Sequence, residues 1–216
     1  MMNQTTILVS NRAGDCYALE GGAKLTHVRN FLSMDERDTL WHESLTYPWQ
    51  RQKIRGVETL RANAWFAEDP RAVYAYSGQC WSPRPFGPAL TALRDRLLAV
   101  FVDCSGLNAC LATRYPNGTA AVGWHADDEP LFGENPIVVS LSLGAVRTFQ
   151  VAPNGAARSG RAALELQLGD GDLVVMGGSF QHLYKHALKK ASKGVGSRLN
   201  LSFRQVIGFR EQSGRH

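Results

Sequence analysis

The segment Arg198-Leu199-Asn200-Leu201-Ser202-Phe203-Arg204 alternates polar and apolar residues without a break. Side chains of an extended chain point to opposite faces in turn, so this period of two specifies a strand with one apolar and one polar face. It belongs to a series. Residues 107–115, 137–143, 146–151, 164–168, 173–176 and 198–207 all read as short strands, separated by turn formers such as Pro116-Asn117-Gly118 and Gly169-Asp170-Gly171. No helical spacing intervenes, and short strands packed this closely predict two antiparallel sheets forming a barrel or jelly roll.

The N-terminal half is different. Residues 1–30 read as short extended pieces with turns at Ala13-Gly14-Asp15 and Gly21-Gly22. Ser33-Met34-Asp35-Glu36 matches a capping box that opens a helix carrying Leu40, Trp41 and Leu45 and ending before Pro48. A second helix starts at Pro88, with an apolar stripe at Leu90, Leu93, Leu97 and Phe101. Both are packing elements. Between them, Arg61 to Phe66 and Tyr74-Ala75-Tyr76-Ser77-Gly78 are rich in aromatics and arginine, with Asp69-Pro70 as a turn. Tyr74 and Tyr76 share a strand face, which suits either core packing or a stacking platform for nucleobases.

With 216 residues, 44% of them hydrophobic and 20% charged, the chain matches one globular domain spanning 1–216. We divide it into residues 31–106, holding the helices and the aromatic ribbon, and a β core at 107–207. The apolar runs are too short to cross a bilayer, so no membrane partner is expected. The N-terminus lacks a secretory signal pattern. Four scattered cysteines without a Cys-x-x-Cys pair fit reduced thiols, so a cytoplasmic protein is expected, in a bacterial cytosol or, in a eukaryote, also the nucleus. The net charge of +5 permits a polyanionic partner without requiring one. The basic tract Lys185, Lys189, Lys190 and Lys193 fits phosphate contacts and a solvated loop equally well.

The chemistry centres on Gly123-Trp124-His125-Ala126-Asp127-Asp128-Glu129. On an extended backbone His125 and Asp127 point to one side, giving two of the three ligands of a facial metal triad. A third can come from His182 or His186, and spacing does not choose between them. Two histidines and an aspartate on iron(II) leave positions for a bidentate 2-oxo acid and dioxygen. The arginines on the polar face of 198–204 are natural carboxylate partners for such an acid.

Taken together, Arg114-Tyr115-Pro116-Asn117-Gly118, the 123–129 motif, 140–149, 171–176 and 198–204 resemble the AlkB-like iron(II)/2-oxoglutarate dioxygenases, over roughly residues 31–207. The resemblance implies an α+β protein with a double-stranded β-helix (jelly-roll) core, N-terminal helices and a nucleotide-recognition aromatic ribbon. It implies His125, Asp127 and His186 as catalytic iron(II) ligands. It places Arg198, assisted by Tyr115, on the distal carboxylate of 2-oxoglutarate, and Arg204 with Asn200 on its metal-side carboxylate. Glu129 and Asp128 would face the exocyclic amine of a damaged base. Tyr76 and the His125 ring would sandwich that base, with Tyr74 and Arg61 at the pocket mouth. The implied reaction oxidises an N-methyl group of N1-methyladenine or N3-methylcytosine type in DNA, and sometimes RNA. The products are formaldehyde, the restored base, succinate and carbon dioxide; a protein or small-molecule substrate is the alternative. A monomer is the expected state. One departure stands out: Thr113 occupies a position where the family pattern usually has asparagine, which weakens or rearranges a contact near the cosubstrate.

Overall fold

The computed structural model describes residues 3–208 except 10, 11, 55, 77, 102, 103, 105 and 158, with the backbone alone for 3–9, 12, 13 and 76. Fifteen strands are present among these residues: β1 (Asn3–Val9), β2 (Arg12–Ala18), β3 (Lys24–Val28), β4 (Gln50–Ile54), β5 (Val57–Ala67), β6 (Tyr74–Tyr76), β7 (Gln79–Trp81), β8 (Ala109–Tyr115), β9 (Val122–His125), β10 (Val138–Gly144), β11 (Arg147–Pro153), β12 (Leu164–Leu168), β13 (Leu173–Gly177), β14 (Tyr184–Leu188) and β15 (Arg198–Arg204). A nine-stranded sheet runs β1-β2-β3-β13-β10-β15-β8-β5-β4, and a four-stranded sheet runs β12-β11-β14-β9. The strand pairs in both are antiparallel, and β6 with β7 forms a separate ribbon. The jelly-roll expectation holds.

The large sheet is covered on its outer face by α1 (Met34–Ser44) and α2 (Pro88–Val100). Leu40, Leu90, Leu93 and Leu97 of the helices pack with Leu141, Leu143, Leu199, Leu201 and Phe203 of the sheet. These are the apolar alternates of β10 and β15. Their polar alternates therefore point the other way, toward the small sheet rather than toward water. Part of that inter-sheet space is an ordinary core of Val138, Phe149, Val151, Leu166, Val174 and Met176. The remainder is lined by polar side chains, and it is there that the candidate site lies.

The helices are fixed by their ends. Ser33 Oγ accepts from Glu36 N, and Ser33 N donates to the Glu36 carboxylate at 2.7 Å, forming the capping box read from sequence. The cap of α2, by contrast, is Gly87, which has no side chain to offer. Its free amides donate instead to Glu43 of α1, from Ala89 N at 2.7 Å and Leu90 N at 3.2 Å. Glu43 also accepts from the Tyr47 hydroxyl at 2.9 Å. A Cβ at position 87 would lie 2.6 Å from the Glu43 carboxylate carbon, so only glycine leaves room for this cap. A carboxylate at a helix N-terminus also meets the positive end of the helix dipole.

The N-terminal turn expectation is partly corrected. Gly21 and Gly22 do turn the chain, in a 3-10 segment with positive φ at both residues. Ala13-Gly14-Asp15 instead lies inside β2. Pairing on both sides keeps Gly14 extended, opposite Ile7 in β1 and Val28 in β3. Among the described residues no helix is long and apolar enough to cross a membrane.

Replacing Glu43 with alanine removes the acceptor for two helix amides and one hydroxyl. Urea denaturation should show a loss of about 1–2 kcal/mol, the usual cost of a deleted helix cap. An unchanged midpoint would mean that water caps α2 equally well.

Candidate metal and cosubstrate site

His125 closes β9 and His186 lies in β14, directly opposite it in the pairing of the two strands. That register brings the two rings to a centroid separation of 4.2 Å. Asp127 follows β9 in an irregular segment, held from both ends. Its backbone amide donates to Gln181 Oε1 at 3.0 Å, and Arg204 Nη2 donates to its Oδ2 at 2.7 Å. Nε2 of His125 is 4.0 Å from Asp127 Oδ1, and Nε2 of His186 is 4.0 Å from Oδ2. The three ligand atoms lie within 4.8 Å of one another, within reach of a single ion. His182, the competing candidate, sits on the short helix α3 (Phe180–Leu183) with its side chain exposed.

The protonation pattern suits a metal. His125 Nδ1 faces the Gly123 carbonyl oxygen at 2.9 Å, so the proton sits on Nδ1 and the Nε2 lone pair points toward Asp127. Burial pushes the His186 imidazole down to about 3, keeping it neutral, the form that ligates. Burial also disfavours the Asp127 carboxylate, but the Arg204 guanidinium outweighs it and holds the group well below the usual carboxylate range. Two neutral imidazoles and one carboxylate are the donor set of a non-haem iron(II) site.

Beside the triad is a cavity of about 80 Å³, room for several water-sized groups. Arg198 reaches into it from β15. The residue is 1% exposed and donates from Nη2 to Ser142 Oγ at 2.8 Å and Asn200 Oδ1 at 2.6 Å. Among the described residues it has no carboxylate partner, and its Nε and Nη1 are buried without any partner. The guanidinium lies over the Tyr115 ring at 5.3 Å, and burial pulls it down to about 10. A buried cation with two orphaned donors is costly unless an anion completes it. Arg198, Tyr115 and the cavity are thus a candidate site for a small carboxylic acid.

Other expected roles fall differently. Arg204 donates from Nη2 to Asp127 Oδ2, orienting the candidate metal ligand, and its Nε is buried without a partner among the described residues. The Asn200 amide donates to Ser140 Oγ and Ser202 Oγ at 3.2 and 2.7 Å, so it too is engaged within the protein. Tyr74 and Arg61 line the cavity, but both are buried and neither stands at an open mouth. Tyr74 is stacked between Trp65 and Trp81, at centroid distances of 4.8 and 5.7 Å. Its hydroxyl donates to Glu129 Oε1 at 2.9 Å. Arg61 donates to the Ala121 carbonyl at 3.0 Å. Asp128 is exposed. The side chain of Tyr76, and with it the expected sandwich, lies outside the described residues.

Two residues escape the sequence reading. Gln181, fully buried beside His182, holds the backbone of Asp127. Arg147, in β11, donates to the carbonyls of Ala120 and Lys189 at 2.8 and 2.7 Å and lies 5.9 Å from the Tyr115 ring. Neither carries a local signal, because their partners come from distant loops.

Comparison with known proteins bears on this geometry. Residues 24–204, from the first residue of β3 to the last of β15, match the family model of the 2OG-Fe(II) oxygenase superfamily. The chain belongs to this superfamily. Within it the oxygenase is AlkB-like. It is 34% identical over 199 residues to human alpha-ketoglutarate-dependent dioxygenase alkB homolog 3, covering 86% of this chain and 67% of that one. It is 30% identical over 214 residues to the DNA oxidative demethylase ALKBH2 of Arabidopsis thaliana, with the same coverage. It thus spans about two thirds of the length of these relatives. The solved structure of OsALKBH1 shares the fold, with a TM-score of 0.58 at 17% identity, covering 84% of this chain and 96% of that one. The oxygenase is an iron(II)- and 2-oxoglutarate-dependent dioxygenase, and its His-Asp-His cluster is the candidate iron site.

The Arg204–Asp127 pair yields a stability prediction. Arg204→Met leaves a buried carboxylate without its cation, and urea melts of metal-free protein should show a loss of about 3–5 kcal/mol. Manganese(II), a redox-stable stand-in for iron(II), should recover more stability in the variant than in the unaltered protein, because the ion replaces the missing charge. Equal gains in both would show that the ion and Arg204 do not share Asp127.

Proposed function

We propose that this oxygenase removes N-alkyl groups from nucleobases, of the N1-methyladenine and N3-methylcytosine type, in DNA and also in RNA. The supporting observation is the hydrogen bond from Tyr74 to Glu129, which ties the aromatic ribbon to the segment carrying Asp127, two residues away. The substrate-facing wall and the candidate metal ligands are thereby one connected unit.

In this reading His125, Asp127 and His186 hold iron(II), and Arg198 with Tyr115 anchors the distal carboxylate of 2-oxoglutarate. When bound, iron and cosubstrate activate dioxygen and supply the oxidising power. Every other task belongs to the chain. Arg204 and Gln181 fix the direction of the Asp127 carboxylate. The apolar walls formed by Leu111, Val122, Phe149 and Leu188 keep water from the reacting centre. A base must leave its stack to enter, at a cost of a few kcal/mol that is smallest for damaged or unpaired bases.

Glu129 supplies discrimination. Burial, with Asp127 adding to it, raises its affinity for a proton, and its Oε2 is buried without a partner among the described residues. A carboxylate in this position gains from a positively charged neighbour. Methylation at adenine N1 or cytosine N3 makes the base cationic, so Glu129 would favour the lesion over the normal base.

Iron-loaded protein given 2-oxoglutarate and an N1-methyladenine oligonucleotide should release formaldehyde and restore adenine, measured by mass spectrometry of the oligonucleotide. Turnover of 2-oxoglutarate that ignores every methylated oligonucleotide, DNA or RNA, would instead indicate a protein or small-molecule substrate. A separate comparison addresses Glu129→Gln. It should keep 2-oxoglutarate affinity but lose roughly tenfold in preference for the cationic lesion, the worth of one charge-assisted contact. Unchanged preference would remove Glu129 from the recognition role.

A further inference from the structure

The departure at Thr113 has a counterpart one strand away. In the large sheet Thr113 of β8 is paired with Asn200 of β15 on one side and with Asn63 of β5 on the other. All three side chains are buried, and all line the candidate cosubstrate cavity. Two asparagine amides thus flank the threonine.

The two amides are in different states. That of Asn200 is saturated: its oxygen accepts from Arg198, and its nitrogen donates to Ser140 and Ser202. Asn63 is only half engaged. The Thr113 hydroxyl donates to Asn63 Oδ1 at 3.0 Å, and no described residue accepts from Asn63 Nδ2. The threonine hydroxyl therefore fixes the orientation of the neighbouring amide, whose NH2 group is left without a described acceptor in a side chain that lines the cavity. Among the described residues, Nε and Nη1 of Arg198 and Nε of Arg204, which also line this cavity, are further donors without a partner and call for acceptor oxygens as well.

We infer that Asn63 supplies the amide donor to bound 2-oxoglutarate that Thr113 does not offer. The inference rests on the cosubstrate reading given above. The hydrogen bond to the acid comes from β5 instead of β8, and Thr113 acts as a positioning residue that holds the Asn63 amide in its donating orientation. The function of the missing asparagine is relocated by one strand spacing, about 4.8 Å. Activity then survives a substitution that, judged on β8 alone, removes a cosubstrate contact.

Calorimetric titration of 2-oxoglutarate into manganese(II)-loaded protein tests this without turnover. Asn63→Thr should weaken binding about tenfold, equivalent to about 1.4 kcal/mol, while manganese affinity stays unchanged. The exchanged pair Asn63→Thr with Thr113→Asn returns an amide to the row and should bind within about threefold of the unaltered protein. Asn63→Asp keeps the shape and the acceptor for Thr113 but turns the donor into a negative oxygen, so it should weaken binding more than Asn63→Thr. It serves as the test if Asn63→Thr does not fold. In steady state the KM for 2-oxoglutarate should rise in Asn63→Thr with kcat held within about twofold. Equal affinity in Asn63→Thr and the unaltered protein overturns the inference, as does an exchanged pair no better than Asn63→Thr. Failure of the unaltered, metal-loaded protein to take up 2-oxoglutarate overturns the cosubstrate reading itself, a result distinct from either of these.

Discussion

The hydrogen-bonded ion pair between Arg204 and Asp127 joins the two sheets at the site. Arg204 ends β15 in the large sheet, whereas Asp127 follows β9 in the small one. Both side chains are almost wholly buried, and removing two charges from water costs more than an isolated pair in protein commonly returns. As a stabilising device it is a poor choice. It makes better sense as a way to keep one carboxylate ionised, oriented and out of solvent where a metal ion requires it. The proton affinities agree: burial alone would raise the Asp127 carboxyl, and its neighbours hold it down.

A second constraint follows from the sandwich. The helices α1 and α2 take the apolar alternates of β10 and β15, so the polar alternates have nowhere to go except between the sheets. A buried polar row must be satisfied by itself or by a ligand. Ser140, Ser142, Asn200 and Ser202 largely satisfy one another. Among the described residues Arg198 keeps two buried donors without a partner and Arg204 keeps one, and these mark a candidate place for an anion.

Much of this can be read from the chain because it is local. The alternation over 198–204, the capping box at Ser33 and Glu36, and the His-x-Asp spacing each involve residues a few positions apart, and each is found as expected. What depends on pairing between distant strands cannot be read this way. The choice of His186 over His182 is decided by the register of β14 against β9, two short strands with no clear alternation of their own. Gly14 resembles a turn residue until neighbours on both sides hold it in a sheet. Gln181 and Arg147 take partners from remote loops, and Asn63 gains meaning only from the residue opposite it. For Tyr74 the sequence leaves core packing and a stacking platform both open, because it gives no hint that Trp65 and Trp81 enclose the ring.

The candidate metal ligands belong to the small sheet and its trailing segment, while the residues facing the acid belong to the large sheet. The distance from the candidate metal ligands to Arg198 is therefore set by the gap between two layers, which face each other at about 10 Å in packed sheets. That gap is set by Val138, Val151, Leu166 and Val174, the apolar spacers farther along the same interior. These spacers act like shims between jaws. A methylene added or removed there changes how closely the two halves of the reaction meet, without touching either of them.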